Sequence, residues 1–167
     1  MKKIMMLSLI LFLTACSGTD ALEKLKKEYP ESVKVVIEEL PKEIQEKIAV
    51  PTKFPFEVTH VTAYNSGNPL EDPMEVINTE FVFSDGESVN MHLYIYHTDF
   101  TFHPDDDELD TVTLMDDSIA YYNVSDGNFK SIRWKKEEKD FSIMLVSVKD
   151  EVFSLEDLVE VVNSIEY

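Results

Sequence analysis

From Phe56 to Val148 the hydropathy pattern alternates with a period of two, and this long alternation most constrains what the chain can become. Val58, His60, Thr62 and Tyr64 interleave with Thr59, Val61 and Ala63. Comparable runs follow at Glu75 to Phe83, Val89 to Thr98, Thr111 to Met115, Ile119 to Val124, Phe129 to Lys136 and Phe141 to Val148. Successive side chains of a strand point to opposite faces, so such runs predict strands with one face buried. Asp85-Gly86 and Asp126-Gly127 are hairpin signals between runs, and Asp116-Asp117 is a weaker turn.

Helical spacing frames this block on both sides. Leu22, Leu25 and Tyr29 form one stripe before Pro30. Val33, Val36, Ile37 and Leu40 form another before Pro41, and Ile44 and Ile48 extend it to Pro51. At the far end Ser154 can cap a helix, with Asp157 at the capping-box distance and Leu155, Leu158, Val162 and Ile165 as its apolar stripe. The expected fold is α+β: a curved antiparallel sheet of about six to seven strands packed against N-terminal helices and one C-terminal helix. Helices are expected to about residue 50, sheet over about 56–148 and the final helix over about 154–165. A single domain spans 22–167, with neither repeats nor low-complexity tracts.

The first residues carry an address. Lys2 and Lys3 precede an apolar stretch from Ile4 to Leu13 broken only by Ser8, and Leu13-Thr14-Ala15-Cys16 closes it. Ten residues of helix span about half of a ~30 Å hydrocarbon core, which suits a secretory segment and is too short for a stable membrane span. Leu13-Thr14-Ala15-Cys16 resembles the bacterial lipobox. The resemblance implies a signal peptide over 1–15, cleavage before Cys16, a diacylglyceryl group on its thiol, and a short tether over 16–21. It places the mature protein on the extracytoplasmic face of the cell membrane. Cys16 is the only cysteine, so a lipidated mature domain forms no internal disulfide.

Charge narrows the partners. Without Lys2 and Lys3, 13 basic side chains face 33 acidic ones, a net of −20 with neutral histidine. Nucleic acid is disfavoured, because phosphate binding draws on lysine and arginine. Flat adsorption on anionic lipid is disfavoured for the same reason.

The C-terminal part resembles a domain of Gram-positive extracytoplasmic lipoproteins and sigma-factor-regulator ectodomains. The residues concerned are Ile119-Ala120-Tyr121-Tyr122, Asp126-Gly127, Ile132-Arg133-Trp134, Phe141-Ser142-Ile143-Met144-Leu145, and Ser154 through Ile165. The lead-in from Pro51 to Val58 also fits, so the likeness extends over Lys47 to Tyr167. It implies a curved sheet backed by helices, similar to the LolA-like half-barrel, and brings no catalytic residues. Glu137-Glu138-Lys139-Asp140 stands where that family usually has a glycine between the last two strands.

The candidate sites are few. His92 and His97 are five apart in one strand and so face opposite ways; a metal site would need a recognisable ligand set. His103-Pro104-Asp105-Asp106-Asp107-Glu108-Leu109-Asp110 is acidic enough for calcium, but an EF-hand alignment from Asp105 puts Leu109 at a ligand position and Asp110 where the turn needs glycine. No metal or cofactor is assigned. No nucleophile elbow or triad spacing is present. The aromatics Tyr94, Tyr96, Tyr122 and Trp134 are the candidate ligand surface, with two-sided packing of a twisted sheet as the simpler reading. The expected function is non-enzymatic: a lipid-anchored envelope protein that binds an envelope protein or an apolar ligand. A sensory or regulatory accessory to a membrane partner is the alternative, and a hydrolase using His60, His92 or His97 is the third.

Overall fold

The computed structural model describes residues 19–68, 72–98, 109–124, 128–148 and 153–166. The signal segment, Cys16, Asp126-Gly127 and the acids from Asp105 to Glu108 lie outside them. The described residues form four α-helices, α1 (Thr19–Glu28), α2 (Val35–Glu38), α3 (Lys42–Gln45) and α4 (Leu155–Asn163), with a π-helical turn over Pro30–Lys34. The strands are β1 (Val50–Pro51), β2 (His60–Asn68), β3 (Asp72–Ser84), β4 (Val89–Tyr96), β5 (Asp110–Thr113), β6 (Ile119–Val124), β7 (Phe129–Lys136), β8 (Lys139–Ser147) and β9 (Ile165–Glu166). The fold is α+β, as the periodicity predicts.

Seven strands form one antiparallel sheet in the order β2-β3-β4-β8-β7-β6-β5. Its register aligns the apolar residues across strands. Phe81 lies between Ala63 and Leu93, Leu93 also faces Ile143, and Ile143 faces Ile132. Along β4 every second residue, Val89, Met91, Leu93 and Ile95, is buried. These residues share one core with Leu22, Val33, Ile37 and Leu40 from the N-terminal helices and Leu158, Val161 and Val162 from α4. The helices therefore cover one face of the sheet. Two bonds fix the N-terminal layer: Ser32 Oγ donates to Val61 O at 2.7 Å and Asn65 Nδ2 to Val36 O at 2.8 Å.

The capping box of α4 forms as its spacing predicts. Ser154 Oγ accepts the Asp157 N–H, and the Asp157 carboxylate accepts the Ser154 N–H at 2.7 Å. At Asp85-Gly86 the turn is held by one carboxylate. Asp85 Oδ1 accepts the N–H groups of Val89, Glu87 and Ser88 at 2.8–2.9 Å, which keeps that carboxyl well below the usual range. Gly86 has φ +82°, and a Cβ there would meet His60 Nδ1 and Thr59 Oγ1 at 3.1 Å.

Three features depart from the sequence pattern. The first main strand starts at His60, not Phe56, because Phe54 and Phe56 turn to pack on the core from the lead-in. The two-residue strands β1 and β9 pair Val50 with Glu166 and Pro51 with Ile165, tying the stretch after α3 to the segment after α4. The β7–β8 turn uses Glu137 and Glu138 at φ +48° and +64°, without glycine. Both central residues are left-handed, as a two-residue primed turn requires, and Asn-Gly meets that demand with less strain. Glu137→Asn with Glu138→Gly is expected to raise the unfolding free energy by about 1–2 kcal/mol. A higher urea midpoint with unchanged slope would show it, whereas an unchanged midpoint would mean the glutamates carry no strain.

Candidate functional site

The four aromatics do not lie together. Tyr94 and Tyr96 sit on the face of the sheet turned away from the helices. Their rings stack at 6.4 Å, and His92 stacks on Tyr94 at 6.3 Å. Glu80, across the β3–β4 pairing from Tyr94, binds His92 Nδ1 through Oε1 at 2.6 Å. Burial, with Glu80 adding to it, pushes the Tyr94 hydroxyl up to about 12. Trp134 and Tyr122 point the opposite way, into the helix-covered layer. Trp134 is 3% exposed and stacks on Phe141 at 5.2 Å, and Tyr122 packs against the core opposite Ile132. The sequence runs contain all four residues, but strand parity puts them on two sides of one sheet.

The histidines are equally divided. His60 Nδ1 meets Thr59 Oγ1 at 2.8 Å, His92 pairs with Glu80, and His97 Nε2 meets Thr79 Oγ1 at 2.8 Å on the helix-covered side. His92 and His97 thus face opposite ways, as their spacing predicts. Among the described residues no group of three His, Cys, Asp or Glu side chains gathers as a metal site.

A groove of 460 Å³ lies elsewhere, between α4 and the edge strand β5. Val112, Met115, Leu155 and Val159 line it, with Lys53, Glu156, Glu160, Asn163 and Ser164 at its margin. Its geometry follows from the local chain. Val112 is the helix-side residue of β5, paired to the buried Ala120. Leu155 and Val159 are one helical turn apart on α4, a second apolar line beside Leu158 and Val162. Asn163 Oδ1 accepts the Met115 N–H at 3.0 Å, which holds the β5–β6 turn against the end of the helix. Lys53 Nζ and Glu160 Oε1 pair at 2.9 Å across the rim. A smaller groove of 230 Å³ adjoins it, sharing Met115 and Asn163 and reaching Trp134 and Lys136.

Met115 is 81% exposed although it stands between these two grooves. Such a site can hold an apolar group by burial, and two of its rim charges, Lys53 and Glu160, are paired with each other. Sequence reading did not single out Met115 or Val159. The available signal was the pair of apolar lines on α4, wider than one buried stripe needs. Among the described residues no helix is long and apolar enough to cross a membrane.

Compared with protein-family models, with curated proteins and with solved structures, the chain matches none.

Proposed function

We propose that this chain is a non-catalytic binding protein, held at the extracytoplasmic face of the cell membrane by lipid on Cys16, that takes an apolar ligand along α4. The observation that carries the binding reading is the α4–β5 groove with Met115 exposed at its mouth. Its 460 Å³ falls within the about 300–1,000 Å³ typical of ligand sites, and its walls are aliphatic with a thioether. A methionine adapts to irregular apolar shapes, which suits acyl chains of varied length. The lipobox-like Leu13-Thr14-Ala15-Cys16 supports the location, and the C-terminal resemblance to extracytoplasmic lipoproteins is consistent with it.

The test combines mass spectrometry of lipid that co-purifies with the mature chain and displacement of a fluorescent fatty acid. Met115→Glu is expected to weaken probe binding at least about tenfold by placing a charge in the apolar mouth. Tyr94→Ala, on the opposite face, is expected to leave binding within about twofold. Equal loss in both variants would argue against the groove. Absence of both lipid and probe binding would end the apolar-ligand reading.

A further inference from the structure

His97 and Lys139 meet at one end of the helix-covered face. β4 and β8 pair Ile95 with Phe141, and the same antiparallel register carried two residues further sets His97 opposite Lys139 on that face. His97 N also donates to Ile77 O at 2.8 Å, so the backbone of His97 is held beside β3.

A directional hydrogen-bond chain fixes the imidazole. Asn65 Nδ2 donates to Val36 O at 2.8 Å, which orients the amide and turns Oδ1 toward Thr79. Thr79 Oγ1 donates to Asn65 Oδ1 at 2.9 Å, so its only proton is committed. The same oxygen must then accept at 2.8 Å from His97 Nε2–H. Neutral His97 therefore carries its proton on Nε2 and leaves Nδ1 bare. Nδ1 is buried and has no hydrogen-bond partner among the described residues. The Lys139 Nζ is buried and unpartnered in the same sense.

Two orphaned polar atoms on facing strands, one of them an ammonium, are costly unless something meets them. Among the described residues, the charges that act on these two atoms are cationic. Burial and the Lys139 charge push His97 down to about 4, and burial with the nearby Lys47 pushes Lys139 down as well. Among the described residues no carboxylate pairs with Lys139. Among the described residues, the charged group acting on the imidazole is Lys139 from β8, and that acting on the ammonium is Lys47 from the stretch after α3. β2 and β3 supply the neutral Asn65 and Thr79, and α2 supplies a carbonyl.

We propose that this corner is a binding site for a small anionic group, a carboxylate or a phosphate, held by Lys139 Nζ and by His97 protonated at Nδ1. Lys47 is the outer counter-charge. One proton is taken from solvent onto Nδ1 for each anion bound, and Nε2–H keeps its bond to Thr79, so the Asn65–Thr79 relay is undisturbed. Without the anion the two lysines oppose an imidazolium; with it, all three cationic groups face a negative charge. Lys139 directly follows the two-residue β7–β8 turn and is only half-buried, so its stem lies at the sheet's margin. The rival occupant is a water molecule, which can donate to Nδ1 and accept from Nζ. The site is separate from the α4 groove, whose lining includes none of these residues.

The test uses the chain from Ser17 to Tyr167, which contains every described residue, titrated at pH 7 and constant ionic strength with inorganic phosphate and with octanoate. Histidine resonances are followed by NMR, and calorimetry is run in buffers of different ionisation enthalpy. The expected result is a saturable shift of His97 to its imidazolium form with either probe, uptake of about one proton per anion, and unmoved His60 and His92 signals. A response to phosphate alone assigns a phosphate group, and to octanoate alone a carboxylate. Lys139→Met should abolish the response and raise Tm, since the buried amine is removed. The milder Lys47→Gln should weaken binding about 2–5-fold without affecting folding, and keeps the test decisive if the other variant misfolds. A neutral His97 throughout both titrations points to water alone and overturns the proposal, as does full binding in both variants.

Discussion

Phe81→Ala should lower the unfolding free energy by about 3–5 kcal/mol, a large share of the 5–15 kcal/mol typical of a domain. The ring is fully buried and stacks on Phe83 at 6.2 Å. Its cross-strand neighbours are Ala63 on β2 and Leu93 on β4. Ala63 is too small to fill the space a lost ring would leave, and Leu93 is already fixed between β3 and β8 by its pairing with Ile143. The cavity would therefore persist, adding its own cost to the lost burial. Val82→Ala is the internal comparison, because that residue is adjacent in sequence, half-buried and on the other face. It should cost less than about 1.5 kcal/mol. Urea unfolding would show Phe81→Ala shifting the midpoint far more than Val82→Ala. Equal shifts would mean that the helices do not define the main core.

That contrast between neighbours also shows what was readable beforehand. Strand parity in β4 is written directly in Val89, Met91, Leu93 and Ile95, because period-two burial and period-two sequence are the same fact. The α4 cap is equally local, since Ser154 and Asp157 act within one turn. The β1–β9 pair is different. Val50-Pro51 and Ile165-Glu166 are too short to show a period, and their pairing exists only because two segments far apart in sequence meet. The β7–β8 turn was hidden for another reason. Glu137 and Glu138 carry no turn preference, and the strong pairing of Trp134 with Phe141 and Ile132 with Ile143 imposes their left-handed backbone.

The sites were less legible than the fold. Tyr94, Tyr96, Tyr122 and Trp134 are conspicuous as residue types, yet the helices that separate their two faces are distant in sequence. The α4–β5 groove joins residues from Lys53, Val112 and Val159, and no local pattern spans such distances. The polar corner is harder still. Asn65, Thr79 and Lys139 lie on three strands and His97 directly follows a fourth, and each alone resembles an ordinary polar residue of a sheet. Only the register brings them into line, and only the direction of the Thr79 hydroxyl reveals that His97 Nδ1 is bare.

Cys16→Ala should move the protein from the membrane fraction almost entirely into the soluble one, the largest change expected from any single substitution here. The reasoning weighs what else could hold the body to a bilayer. Two or three acyl chains contribute about 0.8 kcal/mol per buried methylene, enough for stable anchoring where one chain gives only reversible binding. Against this, cleavage before Cys16 would leave 13 basic and 33 acidic side chains, a balance that repels an anionic surface. Among the described residues no helix can substitute as a span. If the acyl chains supply the attachment, the effect of removing them should not be softened by salt or pH. Fractionation of cells expressing either form, with metabolic labelling by palmitate, reads both the location and the lipid. Label and membrane retention persisting in Cys16→Ala would overturn the anchor, whereas loss of both with normal export of the domain would place the attachment at this one thiol.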